Sequence, residues 1–389
     1  MKLSKDSLLL YIYTILFILL IVFRLLFEGS REGGGGVWNV FQIIFVLTGV
    51  SIYIQYHSKF NNKSQGKIFV VFSFYILFLT IPYFLDEFTI LSLFNFITVP
   101  FGAMVFVTFY YVGLKNDFKK IKSILLFTFY IISIIFIFKR QNYLVGAADF
   151  DTMVINSYYS LCLLPLILIF HNKKFSFLPF IVVLFLIFLS GKRVGIITLA
   201  FLLPIYYLNF SSKIVTIIKN ILSLILIILA INYIYIYLND MYGLDITYRL
   251  KNLTEDGGSG RDIIWKTINK NIWDSNIFYI LFGHGYNSVY ALVGNNAHND
   301  FIQVFYEYGF IALVMYIYFY FSLFKTWFKM QKNKYPYSRN FLLSIIVALF
   351  LANFSFFIIE ARIIICSSLC WGFFLADWKK FQNNGYVAL

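Results

Sequence analysis

The residues able to do chemistry are gathered in one stretch of an otherwise apolar chain, Gly257 to Gly309. It contains His284 and His298, two of the four histidines, together with Arg261 and a series of carboxylates. His298 lies in NNAHND (Asn295 to Asp300), just before an apolar helical run that begins at Phe301. A neutral imidazole with an ordinary pKa near 6.5 can accept a proton from a hydroxyl group, a role worth about 100- to 10,000-fold in rate. The alternative is a loop histidine that caps the helix. Asp300, Gln303 and Glu307 follow at spacings of three and four, forming one polar stripe that would orient His298 or bind sugar hydroxyls.

Ser259 followed by Asp262 reads as a capping box, so a helix is expected to start near Gly260. Arg261, Trp265, Ile268 and Ile272 then share its apolar face, which points the guanidinium inward. An inward guanidinium needs an anion: a phosphate matches its planar fork, and a salt bridge to a loop carboxylate is the alternative. A second basic site is the tetrapeptide Ser190, Gly191, Lys192, Arg193, wedged between two apolar runs and too tight to be a soluble linker. Arg193 is therefore expected at membrane depth, where a charge is functional by default, whereas Lys192 suits snorkelling to lipid headgroups. His284, between Gly283 and Gly285, reads first as a loop bend and second as a ligand contact. Glu360 and Arg362 read as an ion pair before they read as part of a site.

These residues need a mount, and composition supplies one. With 60% hydrophobic and 13% charged residues in 389, the chain is a polytopic membrane protein and not a set of soluble domains. Apolar runs of about 18 to 25 residues match a hydrocarbon core of about 30 Å, and in lipid such runs must be helices. Twelve spans are expected, near 8–27, 37–54, 68–85, 88–113, 121–138, 153–170, 175–190, 194–210, 214–238, 309–328, 340–358 and 361–376. The first is too long for a signal-peptide core and lacks a small-residue cleavage site, so it is expected to stay attached. The single membrane domain, 1–389, carries one large outer loop, 239–308, whose length marks it as functional.

The net charge of +14 would point to nucleic acid in a soluble protein, but here topology accounts for it. Lysines recur in alternate connections, among them Lys59, Lys63 and Lys67, then Lys115 to Lys122, Lys173 and Lys174, and Lys325 to Arg339. The positive-inside rule then places both termini in the cytoplasm and the large loop outside. Cys162, Cys366 and Cys370 all fall within spans and lack metal-ligand spacing, so neither a disulfide nor a metal site is expected. A transporter, the alternative from another functional class, would place its polar residues at the midplane on broken helices; here they cluster on the outer side.

In order and context these motifs resemble the O-antigen polymerase and O-antigen ligase superfamily of bacterial envelope enzymes. The resemblance rests on SGKRVG (Ser190 to Gly195) at the head of a span, then GRDIIW (Gly260 to Trp265), FGHGYNS (Phe282 to Ser288) and AHNDFIQVFYEYG (Ala297 to Gly309) in the large loop. Lys192 departs from the family's more usual small residue. The resemblance implies an all-α integral membrane bundle of about twelve transmembrane helices, GT-C-like, with short amphipathic helices in the outer loop. It implies a metal-independent glycosyltransferase without cofactor, acting on polyprenyl (undecaprenyl) diphosphate-linked glycan at the outer face of the bacterial cytoplasmic membrane. Arg193 and Arg261 would bind the diphosphate and His298 would activate the acceptor hydroxyl. A flippase and a chain-length regulator are the implied protein partners, and nucleic acid is not one. A polymerase would join repeat units into O-antigen or capsule, whereas a ligase would pass the finished glycan to lipid A core or a protein; the strongly aromatic composition is the usage common among such polymerases.

Overall fold

The structure, a computed structural model, describes residues 5–27, most of 44–51, 101–115, 119–144, 157–171, 175–190, 192–207, single positions between 215 and 237, 260–355 and 361–384. The described residues are helical, without strands. The bundle is formed by α1 (Lys5–Phe27), α2 (Phe101–Lys115), α3 (Lys119–Leu144), α4 (Ser157–Phe170), α5 (Phe177–Ser190) and α6 (Arg193–Tyr207). Three shorter helices follow, α7 (Arg261–Asp274), α8 (Ile277–Phe282) and α9 (Ser288–Val293). Then come α10 (Asp300–Lys332), α11 (Ser338–Phe354) and α12 (Ala361–Asn384). The expected span 68–85 lies outside the described residues, as do most of 37–54 and 214–238 and the part of the outer loop before Gly260.

Helix ends differ from the hydropathy windows for a simple reason. α3 and α12 run on through Lys139, Arg140, Lys379 and Lys380, because backbone hydrogen bonding continues into the charged interface where hydropathy stops. By length and composition 121–138 and α10 can cross a bilayer on their own, and α4, α5, α6 and α11 are shorter apolar helices. Within α10, Ala312, Tyr316, Phe319 and Leu323 are buried, while Phe310, Val314, Ile317 and Phe321 are exposed on the opposite side. A helix that is apolar on both faces packs inward with one and meets lipid with the other.

Apolar side chains gain little by leaving lipid for a protein interior, so close van der Waals packing has to hold such a bundle together. α12 lies directly on α2, where a Cβ on Gly113 would come within 2.8 Å of Ala376 and one on Gly372 within 2.7 Å of the Phe106 carbonyl. α5 and α6 form the expected tight hairpin, with Gly195 pressed on Ile187. α6 and α11 are antiparallel: Arg339 donates from Nη1 to the Tyr206 carbonyl at 2.8 Å at one end, and the Phe201 ring packs tilted against Phe350 further along. Continued in that sense, Arg193 at the head of α6 lies at the same end of the bundle as Phe354.

Above that end, α7, α8, α9 and the first part of α10 build a smaller core of Ile268, Ile272, Val289, Ala297 and Tyr306. α10 is two helices and not one: Gly309 has φ 84° and ψ 177°, and the chain reverses there. Sixteen residues of straight helix would separate Asp300 from Tyr316 by about 24 Å, yet the Tyr316 hydroxyl donates to Asp300 Oδ2 at 3.1 Å. The part 300–308 thus folds back beside the spanning part, 310–332. The reversal is fixed by a second glycine, Gly283 (φ 84°), at the end of α8. A Cβ on Gly309 would overlap the Leu281 carbonyl, and one on Gly283 would overlap the Glu307 carbonyl.

Gly309→Ala should therefore be far more disruptive than Gly294→Ala, which also has a positive φ (70°) but open space around it. Backbone in the glycine-only region costs about 1–3 kcal/mol for another residue, and at Gly309 the overlap adds to that. Size-exclusion of detergent extracts should show loss of most of the monodisperse peak for Gly309→Ala only; equal behaviour of the two variants contradicts the tight junction.

Candidate active site at the outer end of the bundle

α11 ends with carbonyls that have no partner inside the helix. Two side chains from elsewhere supply donors: Arg261 Nη1 bonds the Phe354 carbonyl at 2.7 Å, and Asn299 Nδ2 bonds the Asn353 carbonyl at 3.1 Å. Arg261 opens α7, as its periodicity predicts, with Ile268 and Ile272 buried on the same face. The capping box is corrected: Gly260, in the left-handed region, occupies the N-cap without a side-chain bond, and Asp262 pairs with Lys266 at 3.8 Å instead. One partner of Arg261 is thus a helix-end carbonyl, while the loop carboxylates Glu255 and Asp256 lie outside the described residues. Its other electrostatic neighbours include Tyr158, whose hydroxyl faces Ser355, and His298.

His298 precedes the N-cap of α10 and takes φ 53°, an uncommon conformation for a residue with a Cβ. Both neighbours are held. Asn299 caps α10, its Oδ1 accepting from the amides of Phe301 and Ile302. Ala297 accepts from the Trp265 indole at 2.6 Å through its carbonyl and donates through its amide to Gln303 Oε1 at 3.2 Å. Burial, then the positive charges of Arg261 and Lys192, hold the His298 imidazole down at about pKa 4, so at neutral pH it is uncharged and able to accept a proton.

The expected stripe is present, and all of it is buried: Asp300 is 1% exposed, Gln303 2% and Glu307 0%. That burial fits the orienting half of the expectation better than sugar binding. Gln303 Nε2 donates to Asn296 Oδ1 and Glu307 Oε1, tying both to the His298 loop. Asp300 turns the other way, to Tyr316. Glu307 lies in the outer part of α10, before the reversal, where burial raises its carboxyl to about pKa 8 against partial relief from Gln303 and the Val289 and Asn287 amides. His284 follows the loop-bend reading. Its ring is stacked between Tyr279 and Tyr306, centroids 4.7 and 4.4 Å away, with Nε2 2.8 Å from Ser275 Oγ. The His284 and Gly285 amides cap the carbonyls of Tyr306 and Glu307.

Arg193 is the first residue of α6, and its side chain lies outside the described residues, as do Glu360 and the side chain of Arg362. Ser190 is fixed from both sides, accepting from Ser157 and donating to the Ile187 carbonyl. Lys192 is half-buried and within electrostatic reach of His298. Sequence reasoning gave Lys192, Trp265 and Tyr158 no part in the site. The available signals were the adjacency of Lys192 to Arg193 and the indole N–H of Trp265, which needs an acceptor when partly buried. The heads of α4, α6 and α7 thus converge with Arg261, Lys192 and His298. Positive helix ends and cations together favour an anion, and a neutral imidazole beside them can take a proton.

Glu307 offers a pH test. Its raised pKa means that the unfolded chain releases this proton at lower pH than the native one, so native stability falls as pH rises from about 4.5 to about 8. Glu307→Gln removes that penalty: the midpoint of thermal unfolding in detergent should rise at pH 8 and change little at pH 5. A variant less stable than wild type at pH 8 contradicts a neutral carboxyl at this position.

Residues 178–317 match a family model described as O-antigen ligase. No curated protein matches the chain. The matched segment runs from α5 to the spanning part of α10 and includes Arg193, Arg261 and His298. The described residues are all-helical, and over residues 178–317, about a third of the chain, the sequence is similar to the O-antigen ligase family of membrane proteins.

Proposed function

We propose that the protein is a glycan polymerase that joins polyprenyl-diphosphate-linked repeat units by glycosyl transfer without a metal ion. The observation that carries this is the fixing of Arg261 and the His298 loop on adjacent carbonyls of α11, beside the head of α6. His298 takes the proton of the acceptor sugar hydroxyl, and that oxygen forms a bond to the anomeric carbon of the donor glycan. The bond from that carbon to the diphosphate oxygen breaks, and the electron pair leaves with the diphosphate. Arg193 and Arg261 stabilise the leaving group's charge in a low-dielectric site, as fixed donors do for other developing anions. The diphosphate also acts on the base. Two of the three influences that depress the His298 pKa are the charges of Arg261 and Lys192, and an anion lying against them raises the basicity of the imidazole once the donor is bound.

In this reading twelve spans place both termini in the cytoplasm, with residues 239–308 on the outer face of a bacterial cytoplasmic membrane. The repeat units come from a flippase, and a chain-length regulator sets product size. Asp300, Gln303, Glu307 and His284 hold the site and its loops. The aromatic composition favours the polymerase. The matched family description favours a second reading, a ligase that transfers the finished glycan from the lipid carrier to lipid A core or a protein.

The length distribution of lipid-linked and surface glycan in a deletion strain separates the two. Loss of the ladder, leaving single repeat units, is expected, with no rescue by His298→Ala and at least 100-fold less polymer with Arg261→Ala, in line with the loss of one such transition-state donor. Full-length chains stranded on the carrier establish the ligase; an unchanged ladder, or full rescue by both variants inserted normally, contradicts both.

A further inference from the structure

We propose that Trp265 is a positioning residue that holds the His298 backbone at a fixed place relative to Arg261; this rests on the assignment of His298 as the base. The two functional residues are joined by a closed frame. Arg261 and Asn299 attach to successive carbonyls of α11, Phe354 and Asn353. On the other side, Trp265 stands one turn after Arg261 on α7, and its Nε1 reaches the Ala297 carbonyl at 2.6 Å, next to His298. Arg261 and Trp265 thus move as one helix, and Ala297 and Asn299 bracket His298. The frame runs from Arg261 through α11, Asn299, His298 and Ala297 to Trp265, and closes along α7.

The indole bond is the link whose loss opens this frame. His298 has a left-handed backbone, and a conformation of that kind persists only where the surroundings over-determine it. Gln303 holds the Ala297 amide, but Gln303 belongs to α10, on the far side of His298 in the chain. Among these hydrogen bonds, that of Trp265 ties the His298 loop to the helix that bears Arg261, and it gives direction to the apolar packing of Ala297 on Ile268 and Ile272. Its N–H therefore sets the distance between the proton acceptor and the cation that meets the leaving group, and misplacement of a reacting group by about 1 Å costs on the order of 100-fold.

Trp265→Phe keeps an aromatic ring and removes the N–H. With purified protein in lipid nanodiscs and a polyprenyl-diphosphate-linked repeat unit as the probe, kcat should fall about 10- to 100-fold. Donor KM should stay within about twofold, and the acid limb of the kcat profile should shift, because the environment of His298 changes. His298→Ala, measured alongside, reports on the underlying assignment: full activity there removes the base and this proposal with it. If His298→Ala is inactive while Trp265→Phe keeps wild-type kcat and an unmoved acid limb, the base stands and the positioning role is overturned. A Trp265→Phe protein that loses kcat only in proportion to its monodisperse fraction also overturns it.

Discussion

The site depends on how a helix ends in an apolar setting. α11 terminates with backbone carbonyls that lack partners within the helix and take donors from side chains, water or ligands. Arg261 and Asn299 meet that demand from two different segments, residues 93 and 54 positions away in sequence from the carbonyls they bond. A structural requirement of the bundle thus fixes a guanidinium and the residue after the histidine at one point. The antiparallel packing of α6 on α11 brings the head of α6, and with it Arg193, to the same end.

A second constraint shapes the loop above. Helix 300–308 can fold back beside 310–332 only because two glycines with φ 84° let the ends of α8 and of this helix meet backbone to backbone. The reversal buries Asp300, Gln303 and Glu307 and turns them from a surface stripe into internal braces. Burial has opposite protonation signs for an imidazole and a carboxyl yet the same physical effect, favouring the uncharged form. His298 is kept without a proton and Glu307 with one. Arg261 and Lys192 then place positive charge beside the uncharged imidazole, an arrangement that favours an anion.

How much of this was legible in the chain follows from the range of each interaction. Spans appear in hydropathy because the bilayer imposes a length, and the inward face of α7 appears because helical spacing is local: Ile268 and Ile272 are buried with Arg261 turned to the bundle. The reversal at Gly309 does not appear, since apolar residues continue across it and its cause, Gly283, is a tertiary neighbour. The spacing therefore reads as one polar stripe at the outer end of a helix that continues straight into the span at 309. Trp265 read as apolar surface because its acceptor, Ala297, lies 32 residues away. Lys192 read as a headgroup residue because its charge is local information, whereas the nearness of His298 is not. The SGKRVG, GRDIIW and AHND motifs, which carry the resemblance, fall within the matched residues 178–317.

The most direct measurement is glycan elongation by the purified protein in nanodiscs, given a single lipid-linked repeat unit as both donor and acceptor, with a chelator present and no other protein. The expected result is a ladder of lipid-linked products longer than the starting unit, with one polyprenyl diphosphate released per bond formed. Starting units that stay single under these conditions, with protein shown to be folded and able to bind them, contradict glycosyl transfer between repeat units at this site.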